Sequence, residues 1–261
     1  MAALNKQKLV LTIEYDGTGY RGSQAQRHGA TIQSELETAL EKLAGTKIRV
    51  HLAGRTDAGV SATGQVVSFR TELDLPLETV ATALNHFLPA EIAVLGVYRV
   101  PEEFDVRRHA VSREYCYHIW HSPVPSPLRE RYSYRVYGEL DLSAMNQAAA
   151  MLVGNHDMAA FASRLGKKAG STIRRVDAAE VVRQDAEITF RIKAASFLPH
   201  QVRNIVGSLI KVGQGKMTLD EFSELMTAAV PGSAGPAVPG KGLCLISVNY
   251  VKDLGDYNEN L

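Results

Sequence analysis

Two hydrophobic periods alternate along this chain, and their order restricts its fold more than any other property. Leu9 to Tyr15 (LVLTIEY) has the apolar, β-branched make-up of a strand. Thr31 is placed to cap a helix in which Ile32, Leu36, Leu40 and Leu43 keep to one face. Val50 to Ala53 is a short apolar run, and Gln65 to Arg70 is a further strand after a glycine-rich connection. Leu77 to Phe87 reads as a helix and Ile92 to Val100 as a strand. Strand, helix, strand, strand, helix, strand is the order of a ferredoxin-like α+β sandwich.

The second half opens near Asp105 and uses the same element types. Arg113 to Trp120 is an aromatic-rich strand, after which Pro123, Pro125 and Pro127 exclude regular structure. Leu142, Met145, Ala149 and Leu152 line a helix that Gly154 is expected to end. Val176 to Val182 and Ile188 to Ala194 read as paired strands. A helix over 200–212 turns Val202, Ile205, Val206 and Leu209 inward and leaves Arg203 on another face. Thr218-Leu219-Asp220-Glu221 fits a capping box, Pro231 to Gly242 a loop, and Leu243 to Val251 a last strand. With 261 residues the chain has room for two such halves, drawn at 1–105 and 106–261.

No apolar run approaches the roughly 18 residues of a membrane span. Met1 to Val10 lacks the apolar core of a secretory signal. Cys116 and Cys244 match no metal-ligand spacing and read as buried free thiols of a reducing, cytoplasmic setting. The formal net charge of +1 hides a partition. Residues 1–105 carry a net −3, 106–175 a net +6 and 176–261 a net −2. In the basic block Arg107, Arg108, Arg113, Arg129, Arg131, Arg135, Arg164, Lys167, Lys168, Arg174 and Arg175 alternate with Tyr115, Tyr117, Trp120, Tyr132, Tyr134 and Tyr137. Cations for phosphates and aromatic faces for stacking suit a looped or single-stranded RNA. A solvated sheet edge whose tyrosines pack inward is the other reading of the same residues.

Three motifs bear on chemistry. Gly17-Thr18-Gly19-Tyr20-Arg21-Gly22 spells G-x-G-x-x-G, yet the next helix begins some nine residues later, where its N-terminus cannot meet a pyrophosphate. A nucleotide cofactor is therefore not expected. The eight histidines form no recognisable ligand set, so no metal site is expected either. The run His51-Leu52-Ala53-Gly54-Arg55-Thr56-Asp57-Ala58-Gly59-Val60 sets an aspartate in a loop flanked by glycines. Such small residues permit close approach of a ligand or another segment. Arg55, two residues from Asp57, is expected to pair with it and hold it ionised, as a nucleophile or general base requires. A turn aspartate with a surface ion pair fits the same residues.

Ala53-Gly54-Arg55-Thr56-Asp57-Ala58-Gly59-Val60 closely resembles the signature of the tRNA pseudouridine synthase A family. Glu14-Tyr15-Asp16-Gly17, Gly64-Gln65-Val66-Val67, Arg113-Glu114-Tyr115, Val202-Arg203-Asn204-Ile205-Val206-Gly207 and Gly242-Leu243 follow the family order over nearly the whole chain. The resemblance implies two ferredoxin-like, RRM-like α+β halves whose antiparallel sheets join into one extended sheet, with helices on one face and an active-site cleft between the halves. It implies a cofactor-free isomerase of the cytoplasm that converts uridine to pseudouridine in the anticodon arm of tRNA, at about positions 38, 39 and 40, with base flipping. A homodimer is implied, in which one tRNA contacts both subunits. Carried over by residue, Asp57 is the essential carboxylate, whether toward the sugar C1′, the base or a ribose proton. Tyr115 stacks on the flipped base and is placed to take the C5 proton. Arg55 pairs with Asp57 and wedges the RNA helix, and Arg203 supports the carboxylate. Gln65, Arg107, Arg108, Arg113, Arg164, Lys167 and Lys168 are expected to contact substrate.

Four positions depart from the family pattern: Ser23, Ser61, and Asp105 with Val106 where histidine and alanine are usual. Ser23 stands where tryptophan is common and Ser61 where histidine is common, which bears on loop packing or substrate reach. Asp105 adds a negative charge beside a region expected to meet RNA. A catalytically inactive tRNA-binding module or chaperone on the same scaffold shares the basic block but has no need of Asp57, Arg55 and Tyr115 together. A hydrolase built on Asp57 lacks a second carboxylate or a metal set to activate water.

Overall fold

The computed structural model of the protein describes residues 6–163 and 170–260. Among these residues there are ten strands and five α-helices, which is the α+β class read from the sequence. The chain divides into two compact units, Met1–Val111 with Leu245–Leu261, and Ser112–Cys244.

The first unit begins with β1 (Gln7–Tyr15), α1 (Ile32–Ala44), β2 (His51–Leu52), β3 (Ser61–Thr71), α2 (Leu77–Phe87) and β4 (Ile92–Val100). Its strands lie in the order β4-β1-β3, with the short β2 on the other edge of β3. All of these pairs are antiparallel. This is the ferredoxin-like arrangement expected of the βαββαβ order. Leu9, Leu11 and Ile13 of β1 are fully buried, as are Leu36 and Leu40 of α1 and Leu84 of α2. Each such side chain contributes about 1.5–3 kcal/mol on burial, so the apolar stripe, more than any cap, accounts for the helices.

Caps set where the helices start. Thr31 accepts from Ser34 N at 3.1 Å, and Ser34 Oγ accepts from Thr31 N at 3.0 Å, a reciprocal box built with serine. The last strand, β10 (Leu243–Tyr250), belongs to the first unit from Leu245 onward, whereas the boundary read from sequence leaves it with the second half. Thr63 Oγ1 donates to Ile246 O at 3.3 Å, and a Cβ on Gly64 would lie 2.2 Å from that oxygen. Partners 183 residues apart leave no local trace of this return.

The second unit holds β5 (Ala110–His121, from Ser112), β6 (Tyr134–Val136), α3 (Leu142–Met151), β7 (Gly154–Asp157), β8 (Ile173–Gln184), β9 (Glu187–Ala194), α4 (Gln201–Gly213) and α5 (Leu219–Ala228). Its strands run β5-β9-β8-β7, with β6 parallel to β5. The sequence β5, α3, β8, β9 with β9 in the middle repeats the pattern of β1, α1, β2, β3 in the first unit. The proline segment 123–127 is irregular, as expected, and α5 has its Thr218–Glu221 box. Gly154 does not end α3: the helix stops at Met151, and Gly154, at φ +118, opens β7. Strands β6 and β7 are too short and too polar to have been read as strands.

Cys116 is buried in β5 and Cys244 half-buried in β10. Burial pushes the Cys116 thiol up to about 12, so it stays protonated and unreactive at neutral pH. Alkylation of native protein at pH 8 leaves Cys116 unmodified and denaturant exposes it, as peptide mass spectrometry will record. Thr31→Ala removes one half of the α1 box and lowers stability by about 1 kcal/mol in urea unfolding.

Candidate active site

Asp57 lies in the loop between β2 and β3, and the first unit holds that loop from three sides. From below, Gln65 within β3 is fully buried; its Nε2 donates to Gly54 O at 2.9 Å and its Oε1 accepts from Val66 N at 3.2 Å. From the β1 side, Tyr15 OH meets Thr56 Oγ1 at 2.8 Å. From the segment after β1, Ser23 N donates to Thr56 O at 3.1 Å while Ser23 Oγ accepts from Thr56 N at 2.9 Å. Every polar group of Thr56, the residue before Asp57, is thus engaged. Thr56 is turned inward at 7% exposure, Asp57 is half-buried and Arg55 is exposed.

Two glycines of the G-x-G-x-x-G run, Gly17 and Gly22, serve this contact. A Cβ on Gly17 would lie 1.9 Å from Val60 O, and one on Gly22, at φ +100, 2.8 Å from Thr56 O. Only glycine lets these two backbones meet so closely. Gly59, at φ +78, turns the chain after Asp57 and donates to Tyr20 O at 3.3 Å.

The loop differs from expectation at Arg55, and Gln65 turns inward. Arg55 makes no ion pair with Asp57: with Thr56 between them packed inward, the Arg55 side chain is turned out to solvent. Gln65, expected to contact substrate, is fully buried, with one end of its amide on the loop backbone at Gly54 and the other on Val66 N of its own strand.

In the second unit Tyr115 is 7% exposed on β5, opposite Ile192 of β9, with its ring edge-on to Phe197 at 5.1 Å. Arg203 is half-buried on α4, and its Nε donates to Val238 O at 2.7 Å. Tyr117, two residues along β5, donates to Pro239 O at 2.8 Å; burial raises its phenol well above the ordinary range. The 231–242 loop is therefore tied to both Arg203 and β5.

The basic block separates into different uses. Arg113, expected at the substrate, is buried and gives its Nη1 to Ala195 O at 2.8 Å. Arg129 lies over Trp120 at 5.4 Å and pairs with Glu187 at 2.7 Å. Arg131 and Arg135 lie over the exposed rings of Tyr132 and Tyr137, at 5.6 and 5.5 Å. Arg175 pairs with Asp177 at 2.9 Å. Arg164, Lys167 and Lys168 lie outside the described residues.

Arg107 and Arg108 are exposed on a turn in the first unit, and Asp105 explains their placement. Its Oδ1 accepts from Arg107 N at 2.8 Å and from Arg108 N at 2.9 Å, so the unexpected acid closes the turn that carries the two cations. The Arg108 amide, foremost among these contacts, holds the Asp105 carboxyl below the usual carboxylate range.

Both halves of the chain match the family model described as tRNA pseudouridine synthase, over residues 11–107 and 148–251. The chain belongs to the tRNA pseudouridine synthase family. The tRNA pseudouridine synthase A of Geobacter sp. (strain M21) is 41% identical over 94% of this chain and 99% of its own. That of Syntrophotalea carbinolica is 41% identical over 92% and 95%, and that of Myxococcus xanthus 41% over 93% and 92%. Among solved structures, the Cbf5-Nop10-Gar1 complex matches at a TM-score of 0.35 and 13% identity, covering 77% of this chain and 45% of the other. That level of likeness carries no argument about this protein.

Tyr15, Thr56 and Ser23 were not read from the sequence as site residues. Ser23 and Thr56 are 33 positions apart, and only the glycines at 17 and 22 hinted at a close backbone contact.

The Asp105 turn gives a pH test. A carboxyl whose folded pKa is depressed contributes stability above its unfolded pKa and loses it as pH falls through the folded one. In an NMR titration the Asp105 carboxyl will have its midpoint below the ordinary aspartate value, and the Arg107 and Arg108 amides will shift with it.

Proposed function

We propose that this protein isomerises uridine to pseudouridine in tRNA, with Asp57 as the essential carboxylate. The observation that carries the reading is the match of both halves to one family of tRNA pseudouridine synthases, with Asp57 on a loop that buried side chains of the first unit hold by its backbone. In this reaction the N1–C1′ glycosidic bond breaks, the uracil turns, and a C5–C1′ bond forms. The C5 proton leaves and N1 is protonated, so atoms balance without an external reductant or oxidant. A half-buried carboxylate on a rigid loop suits either attack or proton removal, because its position is set before substrate arrives.

Tyr115 and Arg203 take the roles of their counterparts in the family pattern. Tyr115 stacks on the flipped base and accepts the C5 proton, and Arg203 supports the charge of Asp57. Flipping the uridine costs a few kcal/mol, which phosphate contacts offset. The exposed Arg107 and Arg108 supply such contacts, together with Arg164, Lys167 and Lys168. Arg55, free of Asp57 and turned to solvent, is placed to wedge into the RNA. We further propose the anticodon arm, at about positions 38, 39 and 40, as the target, and a cytoplasmic homodimer as the active form. The resemblance of the signature residues supports both.

Tritium release from C5-labelled uridine in a tRNA transcript tests the reading. Asp57→Asn will lower the single-turnover rate by about 10³-fold or more while tRNA binding persists, in keeping with the loss of a residue acting in the chemical step. Full activity in Asp57→Asn, or no release by the folded wild-type protein, refutes the assignment. Retained tRNA binding by a wild-type protein that releases no tritium is the result expected of a binding module.

A further inference from the structure

The contact between Ser23 and Thr56 differs from ordinary loop packing. Ser23 is fully buried, and it brackets a single residue: its N–H donates to the Thr56 carbonyl, and its hydroxyl accepts from the Thr56 N–H. Its own carbonyl accepts from Gln33 N at 2.9 Å, in the first turn of α1. Gln33 in turn accepts from Ala25 N at 2.9 Å and donates to Glu37 at 2.8 Å, and Glu37 accepts from Val50 N at 3.1 Å. A continuous set of hydrogen bonds thus runs from α1 through Ser23 to the peptide that precedes Asp57.

A second serine acts beyond Asp57. Ser61 Oγ accepts from Gly17 N at 3.1 Å, where Gly17 lies against the Val60 carbonyl. Besides the backbone bond from Gly59 N to Tyr20 O, two side-chain fasteners hold segment 16–23 to the aspartate loop, one before the carboxylate and one after it. Both fasteners are serine hydroxyls, at two of the positions that depart from the family pattern.

We propose that Ser23 and Ser61 are positioning residues for Asp57: together they form a polar clasp that holds the aspartate loop against α1 and fixes the direction of the carboxylate. The clasp rests on the reading of Asp57 as the essential carboxylate. Its physical basis is that a backbone N–H left unpaired in a buried site drives the loop to rearrange, and a displacement of about 1 Å at a reacting group costs on the order of 10²-fold in rate. Ser23 dominates, because it is fully buried and holds both sides of its partner. Ser61 is half-buried and holds one.

The test is kinetic and structural together. In Ser23→Ala the rate at saturating tRNA will fall by about 10- to 100-fold with KM changed less than about twofold, since orientation is lost and not affinity. Ser61→Ala will give a smaller fall of the same kind, and Ser61→Thr, which keeps the hydroxyl, will restore it. Hydrogen exchange will find the Thr56 amide protected in the wild-type protein and exposed in Ser23→Ala. The clasp is overturned if Ser23→Ala folds and reacts at the wild-type rate, or if only KM rises. It is also overturned if the Thr56 amide of the wild type exchanges as fast as a free loop, a measurement that stands even where Ser23→Ala does not fold. Full activity in Asp57→Asn defeats the catalytic reading and leaves the exchange result to judge the clasp as structure.

Discussion

Two stretches of backbone in the first unit lie against each other with no side chain between them, and the placement of Asp57 depends on that contact. Gly17 meets the Val60 carbonyl and Gly22 the Thr56 carbonyl at separations that any Cβ would prevent. Close apposition buries amide groups, and buried amides need partners. The Thr56 amide finds the Ser23 hydroxyl, its carbonyl finds the Ser23 amide, and its own hydroxyl finds Tyr15. On either side of Thr56 the loop leaves Arg55 exposed and Asp57 half-buried.

This arrangement accounts for a carboxylate that stays in place without a cation beside it in its own loop. Arg55 was the obvious neutralising partner by proximity in sequence, yet an inward Thr56 turns it out to solvent. The aspartate loop is held through its backbone at Thr56, not through an ion pair with Arg55. The same economy appears at Asp105. There an acid within a basic stretch offers its carboxylate to the amides of Arg107 and Arg108, and so shapes the turn that displays two cations. A negative charge that looks unfavourable for meeting RNA is spent on backbone.

Much of the architecture was legible because it is written in local periodicity. The ends of α2 and β4 agree with the sequence reading to the residue, and α1 starts after Thr31 as its capping residue requires. The elements that escaped were those with little local signal. Strand β6 has three residues and pairs parallel to β5, and β7 is the polar tetrapeptide GNHD. Gly154 was misassigned because a positive φ serves the start of a strand as well as the end of a helix. Gln65 and Arg113 were polar residues near signature motifs, and polarity alone does not say whether an amide or guanidinium faces a ligand or a carbonyl of its own chain.

The sequence by itself determined the α+β class, the ferredoxin-like order of the first unit, and the signature run that sets Asp57 in a glycine-flanked loop. Periodicity and an octapeptide signature are properties of adjacent residues, and they survive in one dimension. Only the tertiary structure decided what holds Asp57: the clasp of Ser23 and Ser61, the support from Gln65 and Tyr15, and the release of Arg55 to solvent. It alone returned the last strand to the first unit. Those outcomes depend on which donor meets which acceptor across 33, 44 or 183 residues of chain. Such pairings are settled by the burial of amides that must find partners, and no local pattern encodes them.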